Sequence, residues 1–260
     1  MCREIYQISM NPSIANQVIV VTGAAQGIGE CVARHLAKQG AKLALADIQG
    51  DKVRAVQESL TQQGVEARSY DVDIANPELV KTTIQTILHD FSRIDSLVNI
   101  AGLDAPPGLA WEITEDEWRR VIDVNLSGQW WMIQAVLPHM MAQHRGKIVT
   151  ISSISARQAF PEHTPAYSAA KAGLIGLTSS LATQLEAYGI LVNCILPGMI
   201  GTGTDINMTQ AAKDEYQKQF PLGIVGPEPV AHAVSYLLGE SGDWISGTAM
   251  NVTGGLFKGI

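Results

Sequence analysis

The sequence predicts an α/β fold: one doubly wound sheet of seven parallel strands, flanked by helices on both faces as a three-layer sandwich. Three observations predict it. Short apolar runs, many of them β-branched, alternate along the chain with segments of helical length. The runs lack the polar alternation of a half-exposed strand, so they read as strands buried on both faces, the habit of parallel sheets. The alternation itself requires crossovers, and right-handed crossovers give a doubly wound sheet.

The elements follow in order. Val18-Ile19-Val20-Val21 is the first strand and ends at Thr22-Gly23. A helix over 28–39 puts Ile28, Val32, His35 and Leu36 on one side and stops at Gly40. Leu43-Ala44-Leu45-Ala46 is the second strand, ending at Asp47, and a helix over 53–63 is closed by Gly64. Residues 67–70 form a weak third strand ending at Asp71. Pro77 opens the next helix, which runs to 91; at a first helical position its missing N–H costs nothing, because that donor has no intrahelical acceptor. Residues 96–99 are the fourth strand. Thr114 and Glu117 have the capping-box spacing and open a long helix. The fifth strand covers 147–151, a long helix 165–187, and the sixth strand 191–196. A shorter helix starts at Glu228-Pro229, and 249–252 is the last strand.

Composition narrows the class. The 260 residues are 46% hydrophobic and 17% charged, which excludes a disordered chain. The net charge of −7 argues against a nucleic-acid partner. No run reaches the ~20 apolar residues that cross a bilayer, so no membrane partner is expected. Residues 1–17 lack the apolar segment of a signal peptide and read as a poorly ordered leader before a single domain over 18–260. Cys2, Cys31 and Cys194 are too few and too dispersed for a disulfide framework, which points to the reducing cytoplasm. The six histidines form no metal-ligand pattern, so no metal is expected.

In doubly wound sheets ligands bind at the carboxyl ends of the strands, where Thr22, Asp47, Asp71, Asn99, Ser153 and Pro197 stand. The loop after the first strand holds Gly23, Gln26, Gly27, Ile28 and Gly29. Glycine lets the backbone turn sharply and lets a pyrophosphate reach the main chain. The helix N-terminus behind the loop offers free N–H donors and the positive end of its dipole. Asp47 can accept both hydroxyls of an adenosine ribose. It would repel a 2′-phosphate by as much as ~4 kcal/mol per unit charge at 4 Å and an effective dielectric of 20. No Arg or Lys lies at 24–26 or 48–50, so NAD is favoured over NADP; the competing reading of Asp47 is a helix cap. Tyr167 and Lys171 stand four apart on a predicted helix and share a face. A neighbouring ammonium favours a phenolate, so this pair can serve as an acid–base group.

Together these motifs resemble the classical short-chain dehydrogenase/reductase family over about 18–255. The loop Gly23-x-x-x-Gly27-x-Gly29 is similar to its cofactor loop, Asp71-Val72 to its adenine-contacting pair, and Asn99-Ile100-Ala101-Gly102 to its Asn-Asn-Ala-Gly motif with Ile in second place. Asn125 resembles its catalytic Asn, Ser152-Ser153 its catalytic-serine segment, and Tyr167-x-x-x-Lys171 its signature. Pro197-Gly198-x-Ile200-x-Thr202 resembles its nicotinamide loop. The resemblance implies a Rossmann-type fold and four catalytic roles. Tyr167 is the general acid/base, Lys171 lowers its pKa and binds the nicotinamide ribose, Ser153 bonds the reacting oxygen, and Asn125 holds a water in a proton relay. The Ser153–Tyr167 spacing is one residue longer than the family commonly shows, which keeps Ser155 as a minority candidate for the serine. The resemblance also implies a homotetramer, or a dimer, built on the helices over 118–140 and 167–185.

Three segments should shape the substrate pocket: 103–112, 154–164 and 199–221. They hold Asp104, Trp111, Arg157, Glu162, His163, Asp205 and Asn207 beside Phe160, Met199 and Ile200. This mixed lining suggests a small polar secondary alcohol (a sugar, polyol or hydroxy acid) interconverted with its ketone using NAD. The alternatives are a carbonyl or 3-oxoacyl reductase using NADH or NADPH, and a non-catalytic NAD-binding sensor.

Overall fold

The structure, a computed structural model, describes residues 14–103, 109–160, 163–201, 214, 218, 220–223 and 225–259. Its strands are β1 (Val18–Thr22), β2 (Lys42–Asp47), β3 (Ala67–Asp71), β4 (Ser96–Asn99), β5 (Gly146–Ile151), β6 (Ile190–Pro197) and β7 (Ala249–Val252). The α-helices described over their full length are α1 (Gly27–Lys38), α2 (Gly50–Gln62), α3 (Pro77–Phe91), α4 (Glu115–Ile122), α5 (Gln129–Ala142), α6 (Pro165–Leu185) and α7 (Glu228–Leu238).

All seven strands pair in parallel in the order β3-β2-β1-β4-β5-β6-β7. The chain therefore winds outward from β1 to β3, then returns to the other side of β1 to lay down β4. Sheets of this kind open a crevice at that reversal, above the carboxyl ends of β1 and β4.

Strand alternation splits the core in two. Ile19, Val21, Leu43 and Leu45 face Val32 and Leu36 of α1, Leu60 of α2 and Val234 of α7. Val20, Ala44, Leu97 and Ile148 face the other way, onto Ile84 of α3, Met132 and Val136 of α5, and Leu181 of α6. Helices thus cover both faces, as the unbroken apolar strands require.

Several boundaries depart from the sequence reading. Helix α2 starts at Gly50 rather than 53, because its first turn, Gly50-Asp51-Lys52, is polar and carries no hydrophobic period. The long helix opened by Thr114 is interrupted by a π-helical turn, Asp123–Gly128, between α4 and α5. Helix α6 ends at Leu185 and tightens into a 3₁₀ turn, Glu186–Tyr188. Residues 14–17, assigned to the leader, belong to the fold: Ile14 is fully buried, Asn16 donates its N–H to Gly40, and the Gln17 side chain accepts from Ser96. Among the described residues no helix is long and apolar enough to cross a membrane.

Candidate active site

The glycine loop lies between β1 and α1, and its backbone is packed against itself. Gly23 has a φ of +69°, and a β-carbon there would meet the Ala101 nitrogen at 2.8 Å. A β-carbon on Gly29 would sit 1.8 Å from the Gly23 carbonyl oxygen, so no side chain fits at 29. The side chain of Gln26, the residue before α1, does not cap the helix, so it leaves the first-turn N–H groups to other acceptors. The loop forms one wall of a cleft of about 800 Å³. Gly23, Gln26, Gly27, Ile28, Gly29 and Asp47 face it from β1, α1 and β2, and Val72, Ala101 and Gly102 from β3 and β4.

Asp47 is buried, and each carboxylate oxygen accepts a backbone N–H. One takes Ala25 of the glycine loop at 2.9 Å, the other Gln49 at the entry to α2, also at 2.9 Å. Asp47 thus lines the cleft, and its bond to Gln49 shapes the turn before α2 rather than capping that helix, which no side chain caps. Lys52 is a basic group that the 48–50 window missed, because it lies inside α2. Its ammonium bonds Gln49 at 2.7 Å and Gln26 at 3.3 Å, on the rim beside Asp47.

Two expected cofactor contacts stand elsewhere. Asn99 is fully buried; its amide donates to the Gln129 carbonyl at 2.9 Å and accepts from Thr22 Oγ1 at 3.4 Å. Strand alternation turns it to the α5 face with Leu97, so it braces the cleft wall and does not line it. Thr22 braces the same wall, its hydroxyl oxygen accepting the N–H groups of Ile100 and Ala101 at 3.0 and 3.2 Å. Asp71 is exposed and turned toward the start of α2, where a β-carbon on Gly50 would lie 2.7 Å from its carboxylate. Val72, next to it, does line the cleft.

The reactive candidates gather behind Gly102, which lines the cleft. Thr164 caps α6 by accepting the Tyr167 N–H at 3.4 Å, and Pro165 occupies the first turn. This fixes where the helix begins, and so places Tyr167 and Lys171 one turn apart. The Lys171 ammonium lies 5.6 Å from the Tyr167 ring centre and donates to the Ile151 carbonyl at 3.0 Å. Asn125 sits on the π-helical turn, its Nδ2 donating to the Val121 and Leu103 carbonyls, both at 3.1 Å. Asn125 Oδ1 is buried and has no hydrogen-bond partner among the described residues. A β-carbon on Gly102 would lie 2.7 Å from that oxygen and 3.4 Å from Lys171 Nζ, so both groups converge beneath Gly102.

Gln129, which the sequence did not single out, behaves similarly. Its Nε2 donates to the Ala101 carbonyl at 3.2 Å, and its buried Oε1 has no partner among the described residues. It is the first residue of α5, directly after the π turn. Ser152 is structural, donating to the Lys171 carbonyl at 2.7 Å. Ser153, two residues beyond β5, caps a 3₁₀ turn, Ile154–Ala156, its oxygen accepting the Ser155 N–H at 3.1 Å. At the end of β6, Gly198 donates to the Val252 carbonyl, and Ile200 bridges to Val225. Thr202, with Asp104, Glu162, Asp205 and Asn207, lies outside the described residues.

A family model described as enoyl-(acyl carrier protein) reductase matches residues 23–257. The 3-oxoacyl-[acyl-carrier-protein] reductase FabG of Chlamydia trachomatis serovar D is 34% identical over 249 residues, which is 95% of this chain and 100% of that protein. The chain belongs to the short-chain dehydrogenase/reductase family. It is an oxidoreductase of that family. Another relative, the (2S)-[(R)-hydroxy(phenyl)methyl]succinyl-CoA dehydrogenase subunit BbsD of Thauera aromatica, is 35% identical over 95% of this chain and 99% of its own. A crystal structure of a 3-oxoacyl-[acyl-carrier protein] reductase with bound NAD, from Brucella melitensis, superposes with a TM-score of 0.87 at 31% identity, covering 96% of this chain and 94% of that one.

Proposed function

We propose that this short-chain dehydrogenase/reductase interconverts a 3-hydroxyacyl and a 3-oxoacyl thioester, with NAD as its cofactor. The observation that carries the reaction is that Asn125 and Lys171, with Tyr167 beside Lys171, converge beneath Gly102, a residue of the same cleft wall that faces the Asp47 carboxylate. The substrate class draws on the relatives. FabG is named for a 3-oxoacyl carrier thioester and BbsD for a hydroxyl-bearing acyl-CoA. That shared chemistry displaces the small polar alcohol expected from loop composition. The described loop residues agree with it: Leu109, Trp111 and Leu222 are exposed apolar side chains. Arg157, the candidate anion binder, is turned to Asn251 at 3.5 Å and over the Phe257 ring.

A dinucleotide fits the residues present. Bare backbone at Gly23 and Gly29 admits a pyrophosphate, and the carboxylate of Asp47 suits ribose hydroxyls. When bound, the nicotinamide supplies or accepts the hydride. The Tyr167 hydroxyl gives or takes the proton at the substrate oxygen. Lys171 stabilises the phenolate form across the short distance to the ring. Ser153 steadies the reacting oxygen. Asn125 Oδ1 accepts from a water beside Lys171, through which a proton returns from solvent. A second reading, NADPH as cofactor, is favoured by Lys52 on the cleft rim.

The test is turnover and cofactor affinity of the purified chain. We expect NADH-dependent reduction of a 3-oxoacyl thioester and a tighter Kd for NADH than for NADPH. Activity confined to sugars or polyols would overturn the substrate, and the reverse Kd order the cofactor. The assembly we propose is a homotetramer, for which light scattering should give four times the chain mass.

A further inference from the structure

We propose that His163 is a positioning residue of this site: through Ser155 it sets whether Ser153 donates or accepts a hydrogen bond at the reacting oxygen, and through its ring it steadies Tyr167. The proposal rests on the roles assigned above to Ser153 and Tyr167.

His163 is the residue before the Thr164 cap, so the start of α6 fixes its place. Its Nδ1 lies 2.6 Å from Ser155 Oγ, and Ser155 Oγ lies 3.1 Å from Ser153 Oγ. Both serines are buried. The imidazole centre is 5.2 Å from the Tyr167 ring at a 59° tilt, and 5.4 Å from the Phe160 ring in an edge-on contact. One imidazole thus touches both candidate catalytic side chains, directly or through a single hydroxyl. Among the described residues, the titratable group whose contact with it is seen is Tyr167 on α6, with Lys171 beyond that ring.

Each serine hydroxyl has one hydrogen to give, so the chain of three groups has a direction. When Nδ1 carries no hydrogen, it accepts from Ser155, and Ser155 in turn accepts from Ser153. Ser153 then offers only a lone pair to the substrate, which suits an alcohol O–H. In the structure Ser153 donates to Ser155; when Nδ1 carries a hydrogen it donates to the same Ser155 oxygen and competes with that bond. The Ser153 hydrogen is then free for a carbonyl oxygen. The hydroxyls only rotate, and the single proton gained or lost is on the imidazole. Acid enforces the second arrangement, since an imidazolium has hydrogens on both nitrogens. Ketone reduction therefore draws on the acid form and alcohol oxidation on the neutral one.

The experiment measures kcat in both directions for the full-length chain between about pH 5 and 8, the interval in which histidines respond. It compares wild type with His163→Phe, which keeps a ring against Tyr167, and with His163→Asn, which restores a hydrogen-bonding group without titrating. Reduction by His163→Phe should fall about three- to tenfold, the weight of one hydrogen bond, with KM for NADH unchanged. The wild-type advantage in reduction should grow toward acid, and in oxidation toward alkali. His163→Asn should recover rate without recovering that pH dependence, and Ser155→Ala, which frees the Ser153 hydrogen at every pH, should lose the pH dependence without the fall in reduction. Variant profiles parallel to wild type in both directions would overturn the proposal. Ser153→Ala and Tyr167→Phe in the same assay report separately on the active-site reading: near-normal rates there would remove the reading itself rather than the role of His163.

Discussion

Tyr167 is asked to hold and release a proton, and a single atom tests it. Tyr167→Phe removes the hydroxyl and leaves the helix cap, the Lys171 contact and the glycine loop in place. We expect kcat to fall by about 10²–10⁴-fold, the usual weight of general acid–base catalysis, while NADH binding by fluorescence titration stays near wild type. Asp47 is tested by its charge. In Asp47→Asn one amide oxygen can still accept a backbone N–H, but the anion is gone. The ratio of NADPH to NADH affinity should then rise about tenfold or more, given the size of the repulsion removed. An unchanged ratio would leave Asp47 only its bonds to Ala25 and Gln49. Both residues were legible because their chemistry follows from type and position. Asn99 was not, because a motif names a residue without saying which face of the strand it occupies.

At the scale of elements, the stretch from α4 to α5 is the most informative. Thr114 and Glu117 cap α4 reciprocally, each accepting the other's backbone N–H. The Thr114 backbone N–H, followed by its hydroxyl, holds the Glu117 carboxyl below the ordinary carboxylate range. A depressed folded value means the capping contribution is complete above the unfolded value, about 4.3 for Glu, and is lost as pH falls through the folded one. The urea midpoint of Glu117→Ala should therefore lie below wild type at neutral pH, with the gap closing in acid. A gap independent of pH would show that the carboxylate is not what caps the helix. The capping box was readable from two residues. The π turn that follows was not, because it inserts a residue into an otherwise helical apolar pattern without altering that pattern's composition. Yet that turn aims Asn125 at Gly102 and Lys171, and such turns recur at functional sites.

The whole molecule depends on the two packed faces of its sheet. Ile133 is fully buried in the core between the sheet and α3, α5 and α6. Ile133→Ala should cost about 2–5 kcal/mol in urea unfolding through lost burial and the cavity left behind. Because it belongs to the core and does not line the cleft, kcat should be retained below the unfolding transition. A concurrent loss of NADH affinity would show instead that this face sets the cleft's shape.

The sequence by itself determined the sheet, the helices on both faces, the glycine loop, Asp47 and the Tyr167–Lys171 pair. Each of these is local: burial selects apolar strands, bare backbone selects glycine, and helical pitch puts positions four apart together. Only the tertiary structure decided that Ile14 belongs to the core, that Asn99 braces a wall, that Lys52 reaches the rim, and that Ser153, Ser155, His163 and Tyr167 join in one contact chain. Those facts depend on how distant segments are turned toward one another. Strand order, the π turn and the start of α6 set that orientation, and no spacing along the chain encodes it.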